Sequence, residues 1–404
     1  MNLIKSLILI FIIALLPRIL WFTVKGNSLD IAIPAGTDAI GYDQIACNIL
    51  NNNEYSFELG KPTAYREPVY PLFLAGIYVI FGHSYNAVRL VQIVISAFTC
   101  VLIFLFVYEN FGKGAEIASL IACFYPYFIY YSTTILRETL FIYFLLYTVY
   151  LLTRVINKRE TSLLEAGVCC GICCLINTTS IIFVVISLIV IFCSKYRKEA
   201  MMISFICLLV YAPWVIRNYK VFHTVILGSN VIGGTLYYAN TIDYNICGTD
   251  KEIEFWKKDK IKNQSLTMSE VDSNRFLLKN ATNIIISNPK EYVLQCYKRF
   301  IKLYRIYPHT GKGYVHSENL MVTCSLLSYG IILPFAILGL ALSFKQYKKS
   351  LILYIAIFSF TLVYTLIWSV IRYRLPIEPY IIIFSTLGII YLGDRNEKIK
   401  SWLW

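Results

Sequence analysis

Ser6–Val24 reads SLILIFIIALLPRILWFTV, an apolar run long enough to cross a bilayer. No small-residue cleavage site precedes Trp21, so the run reads as a retained first membrane helix. Shortly after it, Gly36–Ala46 reads GTDAIGYDQIA, which sets Asp38, Tyr42 and Asp43 just past a membrane helix. Similar apolar runs recur along the 404 residues, of which 57% are hydrophobic and 15% charged. A soluble domain is nearer about 45–50% apolar and about 25% charged, so the composition points to a membrane protein. The net charge of +13 does not argue for nucleic acid, because the basic residues sit in short loops between apolar runs. Orientation and lipid contact account for them better.

Spans are expected at 5–24, 88–108, 115–132, 138–153, 162–177, 179–193, 200–215, 320–343, 350–370 and 376–393. Val69–Gly82, VYPLFLAGIYVIFG, is short for a span and suits an interfacial or buried helix. If it does not cross, three basic loops share one side with both termini: Arg154, Lys158 and Arg159; Lys195, Arg197 and Lys198; Lys345, Lys348 and Lys349. That side is then cytoplasmic by the positive-inside rule. The expectation is an all-α polytopic protein of about ten spans in the plasma membrane, both ends inside. It divides into residues 1–215 with a first outer loop at 25–87, a long outer loop at 216–318, and C-terminal spans in 319–404. Near the end of the long loop, NPKEYVLQCYKRFIKLYRIYP (Asn288–Pro308) reads as an amphipathic interfacial helix.

Several chemistries are absent from the pattern. CCGICC (Cys169–Cys174) imitates a metal-ligand cluster, but it lies in an apolar run with no nearby His, Asp or Glu. Small residues of this kind let membrane helices pack closely. Cys47, Cys247 and Cys296 show no disulfide framework. His83, His223, His309 and His316 are scattered without ligand spacing, so no metal or other cofactor is expected. GKGYVH (Gly311–His316) lacks the flanking strand and helix of a phosphate loop, and no dinucleotide fingerprint occurs.

The chemistry-grade residues gather on the outer side. Read as a helix, Asp38, Tyr42 and Ile45 share a face, with Asp43 about 100° round from Tyr42. The two acids either act as a base or acceptor-binding group, or are solvated loop and helix-starting acids. In AYREPVYPLF (Ala64–Phe73), Arg66 and Glu67 precede a proline-marked short helix. That helix either roofs a cavity or is only a surface anchor, with the pair exposed. In TTILRETLF (Thr133–Phe141), Arg137 is a phosphate ligand or a snorkelling residue, and Glu138 complements a helix N-terminus. PWVIRNYKVF (Pro213–Phe222) offers Arg217 to the same site, or an anchor for a span end. In SVIRYRLPIEPY (Ser369–Tyr380) the segment before Pro376 reads as extended, so Arg372 and Arg374 point the same way. Paired guanidiniums on the outer face match a lipid phosphate or diphosphate; ordinary headgroup binding is the other reading.

The order of these elements resembles the GT-C membrane glycosyltransferases of family 39, which include protein O-mannosyltransferases and lipid A aminoarabinose transferases. The matching residues are Asp38, Tyr42 and Ile45 after the first helix, and Pro68, Tyr70 and Pro71 opening the short surface helix. Arg89 opening the second span, FGKGAEIA at Phe111–Ala118, Glu138, and RYRLPIEPY at Arg372–Tyr380 also match. The resemblance implies an inverting transfer of a sugar, by a hexosyl- or pentosyltransferase, from a polyprenyl-phosphate donor to an acceptor protein, lipid or glycan at the outer face. It implies Asp38 as the catalytic carboxylate; around it, the reading of the residues expects Tyr42, Asp43, Arg66, Glu67, Arg89, Arg137, Glu138, Arg217, Arg372 and Arg374 to bind substrate. Many relatives carry an acid directly after the catalytic Asp; here Ala39 stands there. The rival class is a transporter or lipid-linked glycan flippase, which calls for mid-membrane charges and inverted repeats; neither is evident.

Overall fold

A computed structural model describes residues 3–26, 38–242, 250–307 and 318–403 of the chain. Cys247, His309 and His316, raised above, lie outside these residues. Helix α1 (Leu3–Trp21) ends in a π-helical turn, Phe22–Gly26. Next comes α2 (Ala39–Asn52), then a small antiparallel ladder of β1 (Ser56–Glu58) and β2 (Lys61–Pro62). The ladder is a small local addition to a chain that is mostly helical, as expected. Gly60, at φ +73°, makes its turn, a backbone conformation open to glycine at little cost.

Pro68 precedes and Pro71 falls in the first turn of α3 (Val69–Phe81), where a missing N–H costs nothing. Gly82 then breaks the chain at φ +71°, and Ser84 caps α4 (Tyr85–Phe111) by accepting from the Ala87 amide. The span expected at 115–132 is instead two pieces, α5 (Ala115–Cys123) and α6 (Pro126–Tyr131), because Pro126 cannot donate into a continuous helix. Then follow α7 (Glu138–Ile156), α8 (Leu163–Ile176), α9 (Ser180–Cys193) and α10 (Arg197–Phe222).

The long loop holds α11 (Ile232–Thr241), α12 (Asp250–Lys258), α13 (Lys260–Ser265), α14 (Glu270–Ser287) and α15 (Pro289–Leu303). The chain closes with α16 (Glu318–Ser325), α17 (Ile331–Ser343), α18 (Tyr347–Leu366), a 3₁₀ segment Ile371–Ile377, and α19 (Glu378–Leu403).

Among the described residues, six helical stretches are long and apolar enough to cross a membrane: Leu3–Val24, Tyr85–Phe111, Glu138–Ile156, Arg197–Phe222, Leu320–Leu366 and Ile371–Asp394. They mark the chain as an integral membrane protein. The fifth is broken by a 3₁₀ turn at Phe344–Gln346. Helices α3, α8 and α9 are apolar but shorter.

Membrane helices associate through close packing rather than hydrophobic expulsion, and glycine sets the closest crossings. A Cβ at Gly339 would lie 1.8 Å from the Phe384 carbonyl oxygen, and one at Gly388 would lie 2.2 Å from that of Phe335. Backbones of α17 and α19 therefore touch. The CCGICC run behaves as expected of packing residues: Cys169, Cys170, Cys173 and Cys174 are buried, and Gly167 and Gly171 press against Ile206 and Val210 of α10.

Candidate active site

Helix ends and loop segments from five parts of the chain converge on Asp38, which immediately precedes α2. Arg66 donates from Nη2 to Asp38 Oδ1 at 2.7 Å, and Arg372 from Nη2 to Oδ2 at 2.6 Å. The Nε of Arg372 lies 3.1 Å from Glu138 Oε1. Arg137, one residue before α7, donates to Glu67 Oε2. Three carboxylates (Asp38, Glu67, Glu138) and three guanidiniums (Arg66, Arg137, Arg372) thus interlock with a formal sum of zero.

Beside them opens a cavity of about 190 Å³ with Asp38, Arg66, Glu67, Arg137, Ser229 and Tyr373 in its lining. Burial pushes the Asp38 carboxyl up, but Arg372, then Arg66 and Arg137, outweigh it and hold the carboxyl well below the usual aspartate range. Asp38 is therefore an ionised acceptor of hydrogen bonds at any physiological pH.

Glu67 plays a different part. Its Oε1 accepts from the Thr178 amide (3.2 Å), Thr178 Oγ1 (2.9 Å) and Ser229 Oγ (3.2 Å), while Oε2 takes Arg137. A buried carboxylate with four donors is fully satisfied, which ties three loops together. Gly228 permits this, since a Cβ there would meet Thr178 Oγ1 at 1.8 Å.

Burial raises the Glu67 carboxyl, yet Arg137 and the Thr178 amide more than offset it, so the group sits below the ordinary glutamate value. A folded value below the unfolded one means the stabilisation is complete above about pH 4.3 and drains away as pH falls through the folded value. Arg137→Met should therefore destabilise the protein at neutral pH by about 3–5 kcal/mol, the usual cost of stranding one member of a buried pair. Adding Glu67→Gln should recover part of the loss. Equal thermal midpoints in detergent for the single and double variants would refute the coupling.

The remaining expected residues fall elsewhere. Tyr42 is buried one turn after Asp38, edge-on to Tyr70 at 4.9 Å and 5.3 Å beneath the Arg66 guanidinium. Asp43 points away from the cavity and accepts from Tyr78 (2.7 Å) and Tyr85 (2.9 Å), because five helical residues turn it about 140° from Asp38.

Arg374 is also turned away. The segment is a 3₁₀ helix, not extended, so residues two apart diverge by about 120°. Arg374 is fully buried, 2.8 Å from Glu378 and stacked over Tyr329. Arg217 donates to the Thr63 and Tyr55 carbonyls (2.7 and 3.1 Å). It pins the segment that carries Arg66 and does not reach the cavity. Arg89 is buried over the Phe22 ring and does not line the cavity.

Sequence reading missed Thr178, Ser229 and Tyr373, hydroxyl residues whose local patterns carry no signal. It also missed Glu270, which holds the Ala64 amide (3.0 Å) from α14.

Residues 61–216 match the family model described as dolichyl-phosphate-mannose-protein mannosyltransferase. No curated protein matches the chain in sequence. Over 99% of its length the chain superposes on the oligosaccharyltransferase AglB of Archaeoglobus fulgidus, in complex with an inhibitory peptide and a dolichol-phosphate, at TM-score 0.62 and 14% identity. The chain has the GT-C fold. The apo form of the Archaeoglobus fulgidus oligosaccharyltransferase superposes at TM-score 0.59 and 14% identity over 99% of the chain. The chain spans about half the length of these neighbours, 51% and 52%. The family match takes in Arg66, Glu67, Arg137 and Glu138; Asp38 and Arg372 reach the same cluster from outside it. Around Asp38, the buried Tyr42 Oη, Arg66 Nε and Glu138 Oε2 have no hydrogen-bond partner among the described residues.

Proposed function

We propose that the chain is an integral-membrane glycosyltransferase that moves a sugar from a polyprenyl-phosphate donor to an acceptor at the outer face, with inversion. The observation that carries this reading is an ionised Asp38 held between Arg66 and Arg372 on a polar cavity. The fold and the family match agree with it.

Asp38 orients the acceptor hydroxyl or amine by a charge-assisted hydrogen bond. The acceptor atom attacks the sugar C1 as the bond from C1 to the phosphate oxygen breaks. The electron pair leaves with the polyprenyl phosphate, and the acceptor's proton passes to Asp38 and then to water. The donor is a phosphodiester with one negative charge; the leaving phosphomonoester gains a second. Positive charge fixed where that negative charge develops lowers the barrier, and Arg372 and Arg66 supply it. Because each arginine starts on Asp38, phosphate binding also frees a carboxylate oxygen for the acceptor. Tyr42 and Glu138 complete the site; Asp43, Arg89, Arg217 and Arg374 support it without touching substrate.

The topology favoured is ten spans with the site outside. The basic loops that carry Arg154, Lys158 and Arg159, then Lys195, Arg197 and Lys198, then Lys345, Lys348 and Lys349 share one side in it. Helix α3 lies along α2, with Tyr70 against Tyr42 and Tyr78 on Asp43, as a non-crossing surface helix would. On α15, Val293, Leu294, Tyr297 and Ile301 present an exposed apolar face suited to the interface.

The test is transfer from a panel of radiolabelled polyprenyl-phosphate sugars by the purified protein in liposomes. Label should reach an acceptor with release of polyprenyl phosphate. Movement of an intact donor across the bilayer without bond cleavage would overturn the reading in favour of a flippase.

A further inference from the structure

Five residues past Asp38, another face of α2 carries a second cluster that sugar transfer does not use. We infer that Asp43, Cys47 and His83 form a zinc-type cation site that fastens α2 to the turn between α3 and α4. Asp43 and Cys47 are one helical turn apart and so share a face. His83 comes from the turn that follows Gly82. One ligand atom from each of the three lies within 4.8 Å of the others. His83 Nε2 stands 2.8 Å from Asp43 Oδ1.

The surroundings are built to orient those groups. Tyr78 donates to Asp43 Oδ1 and Tyr85 to Oδ2, at 2.7 and 2.9 Å. The same two rings hold the imidazole edge-on, with centroids at 4.7 and 4.9 Å. Hydrogen-bonded partners behind the ligands are the usual second layer of a metal site. Hydrogen bonding alone explains the Asp43, His83 and tyrosine arrangement, but it gives the Cys47 thiol no role.

One sulfur, one nitrogen and one oxygen suit a borderline-soft ion such as Zn²⁺ and not Mg²⁺ or Ca²⁺. Tetrahedral zinc bonds of about 2.0–2.3 Å put ligand atoms about 3.3–3.8 Å apart, a small side-chain adjustment from the present arrangement. The fourth position falls to water. Cys47 binds as the thiolate, so binding releases a proton to solvent. His83 is exposed and the other two half-buried, which leaves the ion a route in from solution. None of the three lines the cavity, so the ion would act by pinning the helix that begins at Asp38, outside the chemistry.

The test uses the full chain purified in detergent, stripped with chelator and dialysed against buffered Zn²⁺, then Co²⁺. About one equivalent should bind, with a rise in thermal midpoint. Co²⁺ should give a thiolate-to-metal charge-transfer band. Cys47→Ser should abolish that band and His83→Ala should weaken binding at least tenfold. Tyr85→Phe, which keeps the ring, should weaken it about 10–100-fold. Wild-type protein that binds Co²⁺ without the thiolate band, or binds no metal at micromolar concentration, overturns the proposal even if the variants fail to fold. So does equal binding by wild type and Cys47→Ser, the mark of an adventitious ion at another of the twelve cysteines. Metal content is read without a sugar donor, so this outcome and that of the transfer assay are independent.

Discussion

Asp38→Asn should abolish sugar transfer while leaving the protein able to bind its donor. The substitution keeps the shape of the side chain and removes its charge. A positioned general base or acceptor-orienting carboxylate contributes about 10²–10⁴-fold, so turnover should fall by that factor. Asp38 is also the centre of an ion-pair cluster, and a purely structural role makes a different forecast. With Asn in place, Arg66 and Arg372 lose their shared carboxylate, Arg372 keeps only Glu138, and the cluster of three guanidiniums is left with two carboxylates. The thermal midpoint then falls, but turnover per folded molecule stays near wild type. The catalytic reading instead puts the loss in kcat. Donor affinity should hold or improve, because the two guanidiniums no longer have a protein competitor for the phosphate. The decisive measurement is kcat and donor affinity on monodisperse protein in liposomes. Normal turnover in a folded Asp38→Asn protein would exclude Asp38 from the reaction.

Much of this site was legible in the sequence, and the boundary of that legibility is physical. Arg66, Glu67, Arg137, Glu138 and Arg372 sit at the ends of apolar runs, and Asp38 in the loop that follows one, where a charge is cheap and where a surface cavity can form. Their positions therefore stand out against a background of 57% hydrophobic residues. The failures came where local geometry decided direction. Arg372 and Arg374 were paired on a strand periodicity, but Pro376 and its neighbours make a tight 3₁₀ turn that sends one guanidinium to Asp38 and buries the other on Glu378. Asp43 was grouped with Asp38 by proximity in the chain, and helical rotation separates them.

Long-range partners were illegible for another reason. Glu67 finds Thr178 and Ser229, respectively 111 and 162 residues away, and no short pattern announces such a meeting. The same holds for His83, which looked isolated as one of four scattered histidines and turns out to face Asp43 and Cys47. Span counting met a similar limit. Hydropathy marked 115–132 as one run, while Pro126 divides it.

Arg372→Ala carries the second large effect, and its neighbour supplies the contrast. In the proposed mechanism Arg372 holds the donor phosphate, with charge-assisted hydrogen bonds worth about 1.5–3 kcal/mol. Donor affinity should drop by about 10–100-fold. A second consequence follows from electrostatics. Arg372 is the foremost of the groups that hold the Asp38 carboxyl down against the upward push of burial. Without it the carboxyl moves up, so the protonated, inactive form appears at higher pH. The acid limb of the kcat/KM profile should therefore shift toward neutrality in Arg372→Ala, while in the wild type activity persists to lower pH. Arg374→Ala should fail in another way. Arg374 and Glu378 are both fully buried, and removal of the cation leaves a carboxyl stranded among Tyr125, Tyr329 and the helix backbones. That costs about 3–5 kcal/mol of stability and should appear as poor yield and a lowered midpoint, with donor affinity unchanged in the protein that survives. Two arginines two residues apart thus separate the two kinds of loss. An Arg372→Ala protein with wild-type donor affinity and an unmoved acid limb would remove the phosphate role from this residue and leave it, like Arg374, a purely structural cation.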